Sequence, residues 1–505
     1  MQNKFTFYII LAVEILTVIL TSVGIVEREA VLIMTGVMIF YFIFSKIEDS
    51  LILFIISIPL FIALSISENF DSMANWRILL AILFLRLFFE KGLSIKTMKD
   101  KLGQWKIKEK FKHYLMEYLV VLFLIIAVLS IFVAADKVVG IKKILFLVNI
   151  FLLYIIIRNV IFTNPEMRSK IIKSGAIAGI ISLIIGYGQL ILIFFKPLYT
   201  FWQWWADKVI PAFYGHELGK LLSVSNTWFS YYPDKNPTLR MFSVFPDSHS
   251  FALFVIIGLI FFVYLLKEKK SFWVPIILSF LAIIFSGSRA IWVSALVPFF
   301  GIIILAIFKN KTKIKEHSAP FAKKFIIMLI IFILAFPASS LIYSFSYQGG
   351  DGDTLLAFKR AKTIIDIDEL SVKSRMGIWK ASFQSILKHP ILGVGIGNYP
   401  VVLNEDISAA KKGASAHNLY LDVASEMGIL GLIVLLMIFF EIFKLCWKKF
   451  KEDKYILVFF FFLVWILIYN LFDVVLLNDK VLLLFMVAMA LVYPIENHEK
   501  SISIS

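Results

Sequence analysis

The chain has 505 residues, 60% of them hydrophobic and 17% charged, and a formal net charge of +16. Its mean hydropathy of +0.87 excludes an ordinary soluble domain, in which charged residues make up about 25%. The basic excess lies in short segments between apolar stretches, so it reads as a mark of membrane topology and not as a nucleic-acid surface.

Apolar stretches of about 20 residues, each able to cross about 30 Å of hydrocarbon, recur from end to end. About fourteen spans are expected, at 5–26, 29–46, 50–66, 75–90, 115–134, 144–162, 174–196, 250–266, 272–287, 289–308, 325–345, 417–443, 455–474 and 480–494. The bilayer core holds no water, so backbone groups bond within each segment and the segments form helices. The predicted fold is an all-α, polytopic transmembrane bundle of about 12–14 spans with long extracytoplasmic loops. Only Lys4 precedes the first span within its charged flank, and no small-x-small cleavage site follows Val26, so it reads as a retained membrane helix.

Threading the spans in order puts the lysine-rich connections on one side. These are the run from Lys91 to Lys112, the group Arg168, Lys170 and Lys173, the group Lys267, Lys269 and Lys270, the run from Lys309 to Lys315 with Lys323 and Lys324, and the run from Lys444 to Lys454. By the positive-inside rule that side, with both termini, is cytoplasmic. The connection Ala135 to Lys143, with Lys137, Lys142 and Lys143, is the clearest exception. The organisation expected is N-terminal transmembrane helices over 1–196, an extracytoplasmic loop over 197–249, and central helices over 250–345. A large extracytoplasmic loop with an amphipathic helix follows over 346–416, and C-terminal helices over 417–505. Long loops without spans of their own are uncommon unless functional, so the working face is expected outside.

The first outer loop is dense in aromatics, among them Trp202, Trp204, Trp205, Phe213, Tyr214, Trp228, Tyr231 and Tyr232. They fit an interfacial belt or platforms for sugar rings. The loop closes with Arg240, Pro246, Asp247 and His249; an arginine at an outer membrane entry runs against the charge bias. Ser286-Gly287-Ser288-Arg289 turns between two spans on the same side.

In the second outer loop, Met376, Trp379, Phe383, Ile386 and Leu387 share one face of a helix running from Ser371 to His389 and stopped by Pro390. This helix either packs on its neighbours or lies at the outer leaflet. Gly393 to Asn398 reads as a tight turn and Gly349 to Asp353 as turn chemistry; the spacing suits neither a dinucleotide fingerprint nor a metal loop. The histidines lack zinc-site spacing. The lone cysteine, Cys446, excludes an internal disulfide.

His417-Asn418 opens the next span, with Gly428 and Gly431 further in. Asn418, Asp422, Ser425 and Glu426 form a polar stripe on one helical face. A carboxylate at the bilayer midplane costs about 2.5–3.5 kcal/mol on insertion scales, so the stripe is expected to face other helices or a hydrated cavity. On a regular helix His417 points away from Asp422 and Glu426, leaving Asn418 as its nearest polar neighbour.

With these residues in view, the chain resembles the O-antigen ligase and polymerase superfamily of bacterial polytopic membrane glycosyltransferases. The matching blocks, in order, are Arg240 to Ala252, Ser286 to Ala290, Ser374-Arg375 through Trp379 to Asn398, and His417-Asn418 to Gly431. Asp247, Ser248 and His249 stand where the family often has an asparagine after the proline. The resemblance implies a GT-C-like enzyme of the bacterial plasma membrane. It would move a glycan from a polyprenyl diphosphate carrier to the hydroxyl of a glycan or lipid-linked acceptor, with membrane lipids as further partners and without a metal or cofactor.

Under that resemblance Arg240, Arg289 and Arg375 would bind the diphosphate, whose oxygens the planar guanidinium fork matches. His417 would be the general base, since imidazole titrates near pH 6.5, and Asn418 would orient the imidazole or the sugar. Gly428 and Gly431 would permit close helix packing. A lipid-linked glycan flippase is the alternative, carried by Glu14, Arg86 and Glu426 within spans; a non-catalytic partner in envelope assembly is the other.

Overall fold

The computed structural model of the protein describes residues 2–67, 71–90, 114–223, 228–232, 235–307, 319–345, 370–404 and 413–493. The lysine runs at 91–112 and 309–315, the segment Gly349 to Asp353, and His113, His317 and His498 lie outside the described residues.

The fold is all-α. Among the described residues, seven helices are long and apolar enough to cross a membrane: Phe5–Ser22, Leu115–Val133, Lys137–Thr163, Met167–Leu192, Ser248–Leu265, Lys323–Ser344 and Leu419–Lys449. Four shorter apolar helices, Ala30–Phe44, Lys270–Phe285, Arg289–Ile304 and Lys454–Tyr469, fall in further expected spans. This is a multi-pass membrane protein. Among the described residues the sheet structure is a two-stranded antiparallel hairpin, Phe229–Tyr232 with Lys235–Leu239, in the aromatic loop. Alternation of side chains is too short there to be read from the sequence.

The chain forms two compact units. The first contains 1–86, 152–362 and 478–505; the second contains 87–151 and 363–477.

In the first unit, the expected span 50–66 is not one continuous helix. The helix Ile47–Ile56 lasts ten residues, and a 3-10 turn at Ile58–Leu60 follows. Pro59 has no N–H to continue the ladder, and the chain runs on extended through Phe61 to Leu64. Those four residues are buried. Irregular backbone in such an apolar setting requires partners within the protein, and it has them. Leu64 N donates to Met73 O at 2.9 Å, Asn75 N to Ile62 O at 3.0 Å, and Ile62 N to Asn75 Oδ1 at 3.2 Å.

In the second unit, the helix Leu419–Lys449 is interrupted at Gly428, with φ 69° and ψ −173°. The turn that follows Pro390 docks into the break. Val394 N donates to Ser425 O and Gly395 N to Glu426 O, each at 2.9 Å, and Ile429 N donates to Pro390 O at 2.8 Å. Gly393, Gly395 and Gly397 all have positive φ, as a tight turn of this shape requires. A Cβ on Gly428 would fall on the Ile391 carbonyl. Gly428 therefore serves a backbone-to-backbone junction with a loop, where the sequence suggested helix-to-helix packing.

Candidate functional site

The residues singled out by sequence fall into two groups, one in each unit. Arg240 and Arg289 belong to the first; Arg375, His417 and Asn418 belong to the second.

In the first unit the hairpin delivers Arg240. Its backbone N–H donates to Trp228 O at 2.8 Å, and its Nε donates to Ser230 Oγ at 3.3 Å. Gly287 closes against the same place: a Cβ there would meet Ser230 Oγ at 2.7 Å and Arg240 Cγ and Nε at 3.3 Å. The next residues are anchored by Gln189, whose Oε1 accepts from Phe242 N at 3.1 Å and Ser243 N at 3.0 Å. Asp247 caps the helix Ser248–Leu265, accepting from Ser250 N and Ser250 Oγ at 2.7 Å each. Ser288 Oγ lies 3.5 Å from His249 Nδ1, and Arg289 opens the next helix. The two expected arginines thus flank one turn, with a histidine beside it.

The aromatic loop is mostly core. Trp205, Phe213, Tyr214 and Trp228 are buried, with Trp228 edge-on to Phe242 at 4.5 Å. Tyr214 donates its hydroxyl to Val244 O at 2.8 Å, and burial pushes its pKa well up. Tyr231 remains exposed. At the base of this loop Asp71 accepts from Arg28 Nη1 at 3.2 Å and from His216 N at 2.6 Å. Burial works to raise the Asp71 pKa, but the His216 N–H and the Arg28 guanidinium outweigh it and hold the carboxyl below its ordinary range.

In the second unit, Leu370–Lys388 is the expected loop helix. Its apolar residues divide: Ile386 is buried, while Met376, Phe383 and Leu387 are exposed. Trp379 turns inward and donates Nε1–H to Ala416 O at 3.0 Å. Arg375 lies one helical turn before Trp379, on the same side. His417 comes directly after Ala416, with φ 47°. Asn418 is the N-cap of Leu419–Lys449, its Oδ1 accepting from Tyr420 N at 3.0 Å and Leu421 N at 3.1 Å.

The sequence reading missed a carboxylate that lies close to the imidazole. Asp473 Oδ1 stands 4.0 Å from His417 Nδ1, with the Asp473 side chain 7% exposed and that of His417 44% exposed. Asp473 lies in the short connection after Lys454–Tyr469, far along the chain, and no spacing rule links the two. The Asn470 carbonyl beside it accepts from Leu419 N at 2.8 Å and fixes this connection to the start of the His417 helix.

The polar stripe faces protein. Asp422 and Glu426 are buried and meet Lys143, at 3.9 Å and 2.5 Å respectively. The residues that favoured a transport path also have local partners: Ser57 Oγ donates to Glu14 at 2.5 Å, and Arg86 Nη1 donates to Phe42 O at 2.6 Å. Burial pushes the Tyr399 hydroxyl up to about 12; it stands 2.5 Å from Ser382 Oγ.

No curated protein matches the chain. Residues 274–436 match the O-antigen ligase family, a stretch that includes Arg289, Arg375, His417, Asn418, Asp422 and Glu426 and stops short of Asp473. This match supports a ligase- or polymerase-like role in polysaccharide biosynthesis. Across residues 274–436, then, this multi-pass membrane chain is similar to the O-antigen ligase family.

Proposed function

We propose that the protein is a membrane glycosyltransferase of the ligase or polymerase type. It takes a glycan from a polyprenyl diphosphate carrier and joins it to the hydroxyl of a glycan or lipid-linked acceptor, at the extracytoplasmic face of a bacterial plasma membrane. The observation that carries this reading is the approach of half-exposed His417 to buried Asp473, the histidine lying inside the segment that matches the O-antigen ligase family and the aspartate beyond it.

The chemistry follows from the groups present. The acceptor hydroxyl must lose its proton as it attacks the sugar, and imidazole is the side chain suited to take it near neutral pH. Asp473 favours the imidazolium that forms, since an opposite charge in a buried setting stabilises it. The bond to the carrier breaks with the electron pair on the diphosphate, whose growing charge calls for fixed cations. Arg240, Arg289 and Arg375 are assigned that role, because guanidinium stays charged and binds phosphate oxygens two at a time. Asn418 spends its side-chain oxygen on the helix cap, so its part is to fix where the His417 helix begins.

The test is glycan transfer in proteoliposomes from a purified polyprenyl-diphosphate glycan. Wild type is expected to yield polymer or glycosylated acceptor, and His417→Ala to lose at least a hundredfold in rate. Full activity in His417→Ala rejects the base assignment. Carrier-linked glycan crossing the bilayer without any transfer moves the protein to the flippase class.

A further inference from the structure

His417 adopts a backbone conformation, φ 47°, that residues with a Cβ seldom take. Such conformations last only where the surroundings over-determine them, and they gather at working sites. Here both neighbours are held. On the C-terminal side Asn418 caps its helix, and Leu419 N donates to Asn470 O at 2.8 Å. On the N-terminal side the Ala416 peptide groups are gripped twice: Ala416 O accepts from Trp379 Nε1 at 3.0 Å, and Ala416 N donates to Asp422 Oδ1 at 2.9 Å.

Asp422 is the unusual member. An acidic residue in a first helical turn ordinarily serves the helix dipole from an exposed position. This one is 4% exposed, and its carboxylate reaches back along the chain to the residue before His417. A buried carboxylate needs a countercharge, and Lys143 Nζ stands 3.9 Å from its other oxygen while holding Glu426 at 2.5 Å.

We propose that Asp422 is a positioning residue for His417. Its carboxylate, kept in place by Lys143 and opposed by Trp379, clamps the Ala416 peptide so that the imidazole is presented at a fixed angle. This rests on the reading of His417 as the general base. Released from the clamp, the chain relaxes toward ordinary φ and the ring swings away from Asp473. Displacements of about 1 Å at a reacting group cost up to about a hundredfold in rate.

The experiment compares Asp422→Asn, Trp379→Phe, His417→Ala and the double variant Asp422→Asn/His417→Ala in the proteoliposome transfer assay, with kcat and donor KM measured separately. Asp422→Asn is expected to lower kcat about ten- to hundredfold with donor KM unchanged. Trp379→Phe, which leaves the charges intact and keeps an aromatic ring, is expected to lower kcat by a smaller factor in the same way; it carries the test where the Asp422 variant does not fold. Because Asp422 acts through His417, the double variant is expected to match His417→Ala. Wild-type kcat in both clamp variants overturns the proposal and leaves the base assignment standing. So does a further loss of residual rate in the double variant. Full activity in His417→Ala removes the base assignment and this proposal with it.

Discussion

The ammonium of Lys143 stands 2.5 Å from Glu426 Oε2, two residues before the helix break at Gly428. Lys143, expected in a connection that defies the positive-inside rule, lies inside the helix Lys137–Thr163, and its position explains part of that exception. It is a part-buried cation set against two buried carboxylates, Asp422 and Glu426, where Lys142 beside it is exposed. Removing one partner from a buried pair costs about 3–5 kcal/mol, because the other charge is left unmatched. Lys143→Met is therefore expected to lower the thermal unfolding midpoint in detergent sharply, while Lys142→Met leaves it in place. Adding Glu426→Gln to Lys143→Met should recover part of the loss. Equal midpoints for the two single lysine variants would dismiss the cluster as a source of stability.

Asp473 is expected to matter through charge. Asp473→Asn keeps the shape of the side chain but removes the countercharge to an imidazolium. Transfer should fall about ten- to hundredfold with little change in unfolding temperature. Asp473→Glu should retain more activity than Asp473→Asn. If the amide variant transfers glycan at the wild-type rate, the 4.0 Å approach to His417 has no part in the chemistry.

Glycine substitutions separate the junction from the ordinary helix. Gly428→Ala places a Cβ on the Ile391 carbonyl at positive φ, a strain of about 1–3 kcal/mol before any clash is counted. Gly36 lies in a helix with nothing within 4 Å of an added Cβ, and Gly36→Ala should stabilise by about 0.5–1 kcal/mol. Opposite signs of the two shifts in unfolding midpoint are the expected result.

Acid should loosen the Arg28–Asp71–His216 junction in a defined window. The Asp71 carboxyl is held below its ordinary value by the His216 N–H and Arg28, against the opposing effect of burial. Its charged form is thus worth more in the folded protein, a contribution present above about pH 4 and lost as pH falls through the lowered value. The gap in unfolding midpoint between wild type and Asp71→Asn should be constant from about pH 5 to 7 and shrink below about pH 4. A gap that widens in acid would reverse the assigned sign.

Local pattern made much of this architecture readable. Apolar length marked the membrane helices, and Pro390 marked the end of a loop helix found at Leu370–Lys388. The pair His417-Asn418 was visible because a polar dipeptide stands at the mouth of an apolar run. What escaped was every relationship between distant positions. Asp473 gives no sign of its partner, since nothing in one chain's periodicity couples residues so far apart. Lys143 looked like a misplaced loop charge because hydropathy has no term for ionic pairing inside a bundle. The stretch after Ile56 looked like a span because its residues are apolar, and composition does not record that Pro59 interrupts the hydrogen-bond ladder.

That interrupted stretch bears on how the protein is made. The backbone groups of Ile62 and Leu64 bond to Met73 and Asn75. During synthesis this segment is exposed to the insertion machinery before those partners have emerged, and apolar side chains alone do not settle its placement in lipid. Its final position must be reached late, when the residues at 73–75 have been released and the neighbouring helices have closed around it. A ribosome-arrested intermediate ending just before Met73 would then carry residues 57–64 in a protease-accessible form, and one extended beyond the helix Trp76–Glu90 would protect them.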